Sequence, residues 1–184
     1  MRARAAALSA MTILGALALA AAPAAGAAEN PYATAQTKAQ YTVYQPMQTI
    51  GLAMNAGTAG FTSYAMCSTG GPLIIARYGS QTRPGKGFSV QESLKGCLDG
   101  PDEIGPYGTV MVGSAKATIG GMCPGQRPTC PKASVGGVRR QAYTTVTLPA
   151  ANGHQSTLIE LYSTGLGPRQ IAEILRGLAP VAAG

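Results

Sequence analysis

A strand, a glycine turn and an amphipathic helix follow one another between Gln155 and Leu178, and this succession limits what the rest of the chain can be. Pro168 comes directly after Gly167, where a fixed φ and a missing N–H suit the first helical position. Ile171, Ile174, Leu175 and Leu178 then recur at i, i+3, i+4 and i+7, the stripe of one buried helix face. Arg169, Gln170, Glu173 and Arg176 fall largely on the other side, and Gly177 and Pro180 end the helix. A helix of about 11 residues is marginal alone in water, so another element has to cover its stripe. The strand just before it offers Ile159 and Leu161 on one face and Glu160 on the other.

The remaining elements read as short strands separated by glycine and proline. Tyr41 to Tyr44 and Phe61 to Cys67 are strands, with Gly51, Asn55, Gly57 and Gly60 marking turns between them. Leu73 to Tyr78 is a compact apolar run, and Phe88 to Glu92 alternates, with Phe88 and Val90 on one face. Gly96 to Gly108 reads as a surface loop. Thr109 to Val112 and Ala115 to Ile119 are two strands, or one bent at Gly113. Ala142 to Leu148 is another, joined through the turn residues Asn152 and Gly153 to the strand Gln155 to Ser163. The spacing predicts an α+β fold: an antiparallel sheet of seven or eight short strands, with the C-terminal helix packed on one face.

The N-terminal part sets a compartment. Arg2 and Arg4 precede an apolar run from Ala5 to Ala22, followed by the small residues Ala25 to Ala28, the pattern of a secretory signal peptide spanning 1–28. An uncleaved anchor is the alternative, but the run is weakly hydrophobic and small residues suit cleavage after Ala27 or Ala28. Residues 29–40 lack periodicity and read as a flexible leader, 41–180 as a single secreted domain and 181–184 as a tail. Without the leader's two arginines, 12 Lys and Arg stand against 7 Asp and Glu. Only Arg139 and Arg140 are adjacent, and neither a basic stripe with aromatics nor a nucleic-acid-binding module is present. Such a dilute positive balance is compatible with loose attraction to anionic wall polymers or lipid headgroups.

Four cysteines, Cys67, Cys97, Cys123 and Cys130, lie in the exported part and predict two disulfides. Cys123 with Cys130 is the favoured pair, because Pro124, Gly125 and Pro128 help to close a short loop between them, which leaves Cys67 with Cys97. A zinc site is disfavoured, since there is no C-x-x-C spacing and the only histidine is distant.

Motifs for chemistry are sparse, and the expectation is a chain without catalytic residues, metal or cofactor. His154 follows Asn152-Gly153 in a turn, and a catalytic reading would pair it with Ser156 or Ser163. One histidine without a G-x-S-x-G elbow fits an exposed turn residue better. Asp99, Asp102 and Glu103 form the one acidic cluster, but Gly and Pro around them suit a solvated loop more than a glycosidase cleft or a calcium loop. Gly70-Gly71 and Gly120-Gly121 match no phosphate-binding pattern. The loop Cys123 to Cys130 presents Arg127 on a stiffened turn, as a secreted protease inhibitor would, although Pro128 directly after Arg127 opposes cleavage chemistry there. Arg127, Arg139 and Arg140 are the candidate binding residues.

The order Tyr41-Thr42-Val43-Tyr44-Gln45-Pro46, then Gly51-Leu52, then Thr157 to Leu166 leading into Gln170 to Leu175, resembles an extracytoplasmic domain of unknown function found on anti-sigma-like membrane proteins and lipoproteins of Gram-positive bacteria. The chain differs in having no tryptophan, four cysteines and no cytoplasmic or transmembrane regulator segment. The resemblance implies a compact sensing or binding module with no transferable catalytic residues. Residues and resemblance together predict a secreted, non-catalytic module that binds a protein or an anionic cell-envelope component, with a secreted inhibitor or a hydrolase as the alternatives. No nucleic-acid partner and no stable membrane insertion after cleavage are expected.

Overall fold

The computed structural model describes residues 30–67, 71–94, 104–122 and 131–182, and the segment read as a signal peptide lies outside them. Seven strands form one antiparallel sheet: β2 (Phe61–Cys67), β3 (Gly71–Gly79), β4 (Gly87–Ser93), β5 (Ile104–Val112), β6 (Ala115–Met122), β7 (Ala142–Leu148) and β8 (Thr157–Thr164). Their spatial order is β2-β3-β4-β8-β7-β6-β5, so β2 and β5 are the two edges. Two short strands, β1 (Tyr44–Pro46) and β9 (Leu178–Pro180), pair apart from it. Among the described residues there are three α-helices, α1 (Pro31–Gln36), α2 (Val135–Arg140) and α3 (Pro168–Arg176), and one short 3-10 helix, Gly57–Ala59. The α+β class and the antiparallel pairing agree with the sequence reading.

Register explains which side of the sheet is the core. Phe88 pairs with Ser163, Val90 with Leu161 and Glu92 with Ile159, and on the far side of β8 Leu161 pairs with Thr144 and Ile159 with Val146. These positions share one face. Ile74, Phe88, Val90, Ile159 and Leu161 are fully buried there, in one cluster with Leu166, Ile171, Ile174 and Leu175. The helix stripe foreseen from its spacing and the strand stripe foreseen from its alternation therefore belong to one core.

Four differences from the sequence reading have local causes. Residues 30–40, the described part of the segment read as a flexible leader, are ordered: Asn30 caps α1 by accepting the Tyr32 N–H at 3.0 Å, and Tyr32, Ala35 and Gln36 are buried. What ties the segment down is tertiary, because the Gln36 side chain accepts the Val43 N–H at 2.7 Å and donates to the Tyr41 carbonyl at 3.1 Å. Ile104 to Gly108 belongs to β5 rather than to a loop; Pro106 is tolerated because β5 is an edge strand, and the register shifts between Pro106 and Gly108 as a bulge. Tyr41 makes only an isolated bridge to Gln155, and β1 starts at Tyr44. Val181 is no loose tail, since its N–H donates to the Val43 carbonyl at 2.9 Å and its side chain joins the core.

The strands read from 109 to 119 form a hairpin, with Gly113 at φ 57° closing a two-residue loop. Asn152 and Gly153, at φ 54° and 79°, turn the chain between β7 and β8. Replacing the cap in Asn30→Ala should lower stability by about 1 kcal/mol in urea unfolding. An unchanged midpoint would mean that the Asn30 cap contributes nothing to the fold.

Candidate functional site

The polar side of α3 is where the surface hollows. Arg169, Ala172, Glu173 and Arg176 stand at i, i+3, i+4 and i+7, so they form a second stripe beside the buried one. This stripe and β5 bound a groove of about 800 Å³ with Val110 and Ile119 among its lining and Met47 and Gln48 at one end. A second hollow of about 470 Å³ shares Tyr107, Pro168 and Arg169 with the first and extends the groove to Arg139 and Val135. Tyr107 sits in the bulge of β5, which is how an edge strand aims one extra side chain. Among the described residues, two of the three exposed large hydrophobic side chains, Met47 and Val135, line the combined groove, and the third, Met111, lies further along β5.

Position of α3 depends on its start. Gly165, at φ 74°, turns the chain out of β8 and donates its N–H to the Arg139 carbonyl at 2.9 Å. Gln170 reaches back to accept the Gly167 N–H at 3.0 Å. The end of α2 and the start of α3 are thereby tied together, which brings Arg139 and Arg169 to one hollow.

Four of the seven acidic residues, Glu29, Asp99, Asp102 and Glu103, lie outside the described residues. Among the described residues, ten Lys and Arg stand with three carboxylates, Glu92, Glu160 and Glu173, and only Glu173 is exposed. Two of the sequence-derived binding residues, Arg139 and Arg140, are exposed at the end of α2 but face different hollows. Arg139 lines the groove, whereas Arg140 lines a separate hollow of about 620 Å³ with Arg83 and Lys132. Arg127 lies outside the described residues, as do Cys97, Cys123, Cys130 and the acidic cluster Asp99, Asp102 and Glu103. Cys67 is placed only by its backbone, at the end of β2.

The buried carboxylates are held away from the groove. Glu92 accepts the Tyr44 N–H on Oε2 at 2.7 Å, while Oε1 has no partner among the described residues. Burial pushes its carboxyl up to about 8, partly offset by the Tyr44 hydrogen bond. Glu160 projects from the opposite face of the sheet and accepts the Tyr143 hydroxyl at 2.6 Å. Burial first, and then this neighbour, push the Tyr143 phenol up. Neither carboxylate lines the groove.

His154 is half-buried in the turn where its N–H donates to the Ala151 carbonyl at 3.0 Å. Ser156 is exposed and Ser163 is buried beside Phe88 and Ala142, its hydroxyl unpartnered among the described residues. No hydrogen bond joins either serine to His154 among the described residues. No group of three metal-ligating side chains occurs among them, and no helix there is long and apolar enough to cross a membrane.

Arg169, Arg176, Tyr107 and Met47 were not singled out from the sequence. The signal available was the i, i+3, i+4, i+7 spacing of Arg169, Ala172, Glu173 and Arg176, which also describes an ordinary solvated helix face. Comparison with protein-family models, curated proteins and solved structures finds no match. The resemblance to an extracytoplasmic domain therefore rests on the residues at the two ends of the chain.

Proposed function

We propose that this chain is an exported, disulfide-stabilised, non-catalytic binding module of the cell envelope, whose groove between α3 and β5 takes an anionic ligand. The observation that carries this reading is the groove's composition: an apolar floor of Val110 and Ile119 under a rim bearing Arg139, Arg169 and Arg176. Arginine suits such a rim, because its planar donors meet carboxylate or phosphate two at a time. Glu173, between Arg169 and Arg176 in sequence, also lines the groove, so the α3 side of the rim carries two positive charges and one negative. Export and the disulfides are supported by the N-terminal sequence and the even cysteine count.

Three anionic probes test the reading: polyglycerol phosphate, phosphatidylglycerol vesicles and polyglutamate, with neutral vesicles as the control. At least one anionic probe should bind, more weakly as salt rises. The double variant Arg169→Ala/Arg176→Ala should weaken that binding about tenfold, some 1.4 kcal/mol. Lys38→Ala/Arg77→Ala, at two residues that line neither hollow of the groove, should leave it unchanged. Equal losses in both double variants would mean diffuse attraction by net charge and would sink the assignment of the groove.

A further inference from the structure

We infer that the occupant of the groove is an extended acidic segment of a partner protein, which adds to β5 as an eighth strand of the main sheet. The inference rests on the reading of the groove as an anion-binding site and adds the form of the ligand.

Backbone geometry carries it. The two-residue loop Gly113-Ser114 makes Val112 and Ala115 a hydrogen-bonded pair, and such pairs alternate along an antiparallel ladder. Val110 therefore bonds Ala117, while Thr109, opposite Thr118, and Met111, opposite Lys116, turn their N–H and C=O groups away from β6. β5 is the last strand of its sheet, so those groups face outward. Among the described residues, the one backbone bond on that outer side of β5 is Ala133 N–H to the Pro106 carbonyl, at 3.1 Å.

Among the described residues, the first half of this edge is guarded and nothing pairs with the second half. Pro106 and the bulge after it are devices that discourage strand addition. From Thr109 to Val112 there is no proline, bulge or charged side chain, and Thr109 and Met111 are exposed. An exposed strand edge of this kind is the template used when a peptide joins a sheet, its main chain supplying affinity and its alternate side chains specificity.

Charge then selects the peptide. Gly108, Thr109 and Val110 line the same groove as Arg169 and Arg176, so every second side chain of an added strand would be directed toward α3. Seven helical residues separate those arginines by about 10 Å, and same-face residues of a strand lie about 6.7 Å apart. The arginine interval falls between one and two such spacings, about 6.7 and about 13 Å, and the length of the arginine side chains spans the difference. A lipid headgroup or polymer phosphate would satisfy the arginines but would leave the edge of β5 unused.

The test uses a ten-residue peptide alternating Glu and Thr, the same peptide N-methylated at alternate amides, and polyglycerol phosphate. The expected result is binding of the first peptide, protection of the Thr109 and Met111 amides from hydrogen exchange, and binding about tenfold weaker after N-methylation. Met111→Pro, which removes one outward N–H at a position where an edge strand accepts proline, should weaken the first peptide similarly with the unfolding midpoint checked alongside. If that variant fails to fold, the N-methylated peptide carries the same test on the unaltered protein. Binding of both peptides alike, without protection of Thr109 and Met111, would overturn strand addition while leaving an anion-binding groove. Binding of polyglycerol phosphate alone through Arg169 and Arg176 would do the same. Failure of every anionic probe would overturn both.

Discussion

Stability should fall as the pH rises from about 5 to about 8, and Glu92→Gln should abolish most of that fall. Glu92 is fully buried on the core face of β4, opposite Ile74 in β3 and Ile159 in β8. Four tyrosines surround it, yet none of their hydroxyls is directed to the carboxylate. Tyr41 donates to the carbonyls of Pro72 and of Glu92 itself, at 2.6 and 2.8 Å, and Tyr44 donates to the Pro149 carbonyl at 2.7 Å. Tyr32 and Tyr78 bond each other at 2.8 Å. A single backbone N–H, that of Tyr44, does not replace the water lost on burial, so the proton stays on up to about 8.

The sign follows from proton counting. Between the ordinary value of 4.5 and about 8 the folded state holds a proton on Glu92 that the unfolded chain has released. Folding takes up that proton, so the stabilisation is complete below 4.5 and is lost as the pH rises toward 8. At about 1.36 kcal/mol per unit, the loss has an upper bound of about 5 kcal/mol. Glutamine keeps the shape and the acceptor for Tyr44 N–H and removes the charge, at a cost of about 1 kcal/mol for its unpartnered amide donor. Urea unfolding at pH 5 and pH 8 measures both chains. The variant should be a few kcal/mol more stable than the parent at pH 8 and nearly level with it at pH 5. A parent slope that survives in Glu92→Gln would assign the pH dependence to other groups.

Phe88→Ala should cost about 3 to 5 kcal/mol, the range for removing a buried phenyl ring. Phe88 is fully buried in β4, between β3 and β8, and its ring stacks on Tyr78 at 4.6 Å with 8° between planes. Tyr78 in turn holds Tyr32 of α1, whose ring meets Phe61 edge-on at 4.9 Å. Truncation thus leaves a void under an aromatic row that joins β2, β3, β4 and α1. Since single domains retain only about 5 to 15 kcal/mol in total, the variant should lose a large fraction of its stability. Its urea midpoint should drop with an unchanged slope. Met111→Ala, at a side chain that is 53% exposed, should stay within about 0.5 kcal/mol. Equal effects at the two positions would contradict the placement of the core.

Much of the fold was legible because its parts carry their own period. Phe88 and Val90 alternate, Ile171, Ile174 and Leu175 recur at helical spacing, and Asn152-Gly153 announces a turn, so strands, helix and reversal could be read without knowing what they touch. The stretch from Asn30 to Gln40 resisted for the opposite reason. Its helix is too short to show a period, and its order comes from Gln36 bonding Val43 and from Tyr32 bonding Tyr78. The first half of β5 was hidden by Pro106, which argues against a strand unless that strand is known to lie at an edge.

The candidate site divides in the same way. Arg139 was legible as part of the one adjacent basic pair, but that pair splits between two hollows, since successive residues of a helix point about 100° apart. Arg169 and Arg176 looked like solvated surface, because nothing local distinguishes a helix face that meets water from one that borders a strand edge. Glu92 ended the strand read from Phe88 to Glu92, and its spacing alone gave no sign of the tyrosines around it.

By itself, the sequence determined the α+β class, the buried stripes of β4, β8 and α3, and the turn at Asn152-Gly153, because those depend on side-chain period and on backbone angles set by neighbouring residues. Only the tertiary structure decided that β5 is an edge, that α3 lies beside it with two arginines on the groove, and that Glu92 is sealed among tyrosines. Those features depend on which segments meet across long stretches of chain, and residue spacing within one segment carries no information about its distant neighbour.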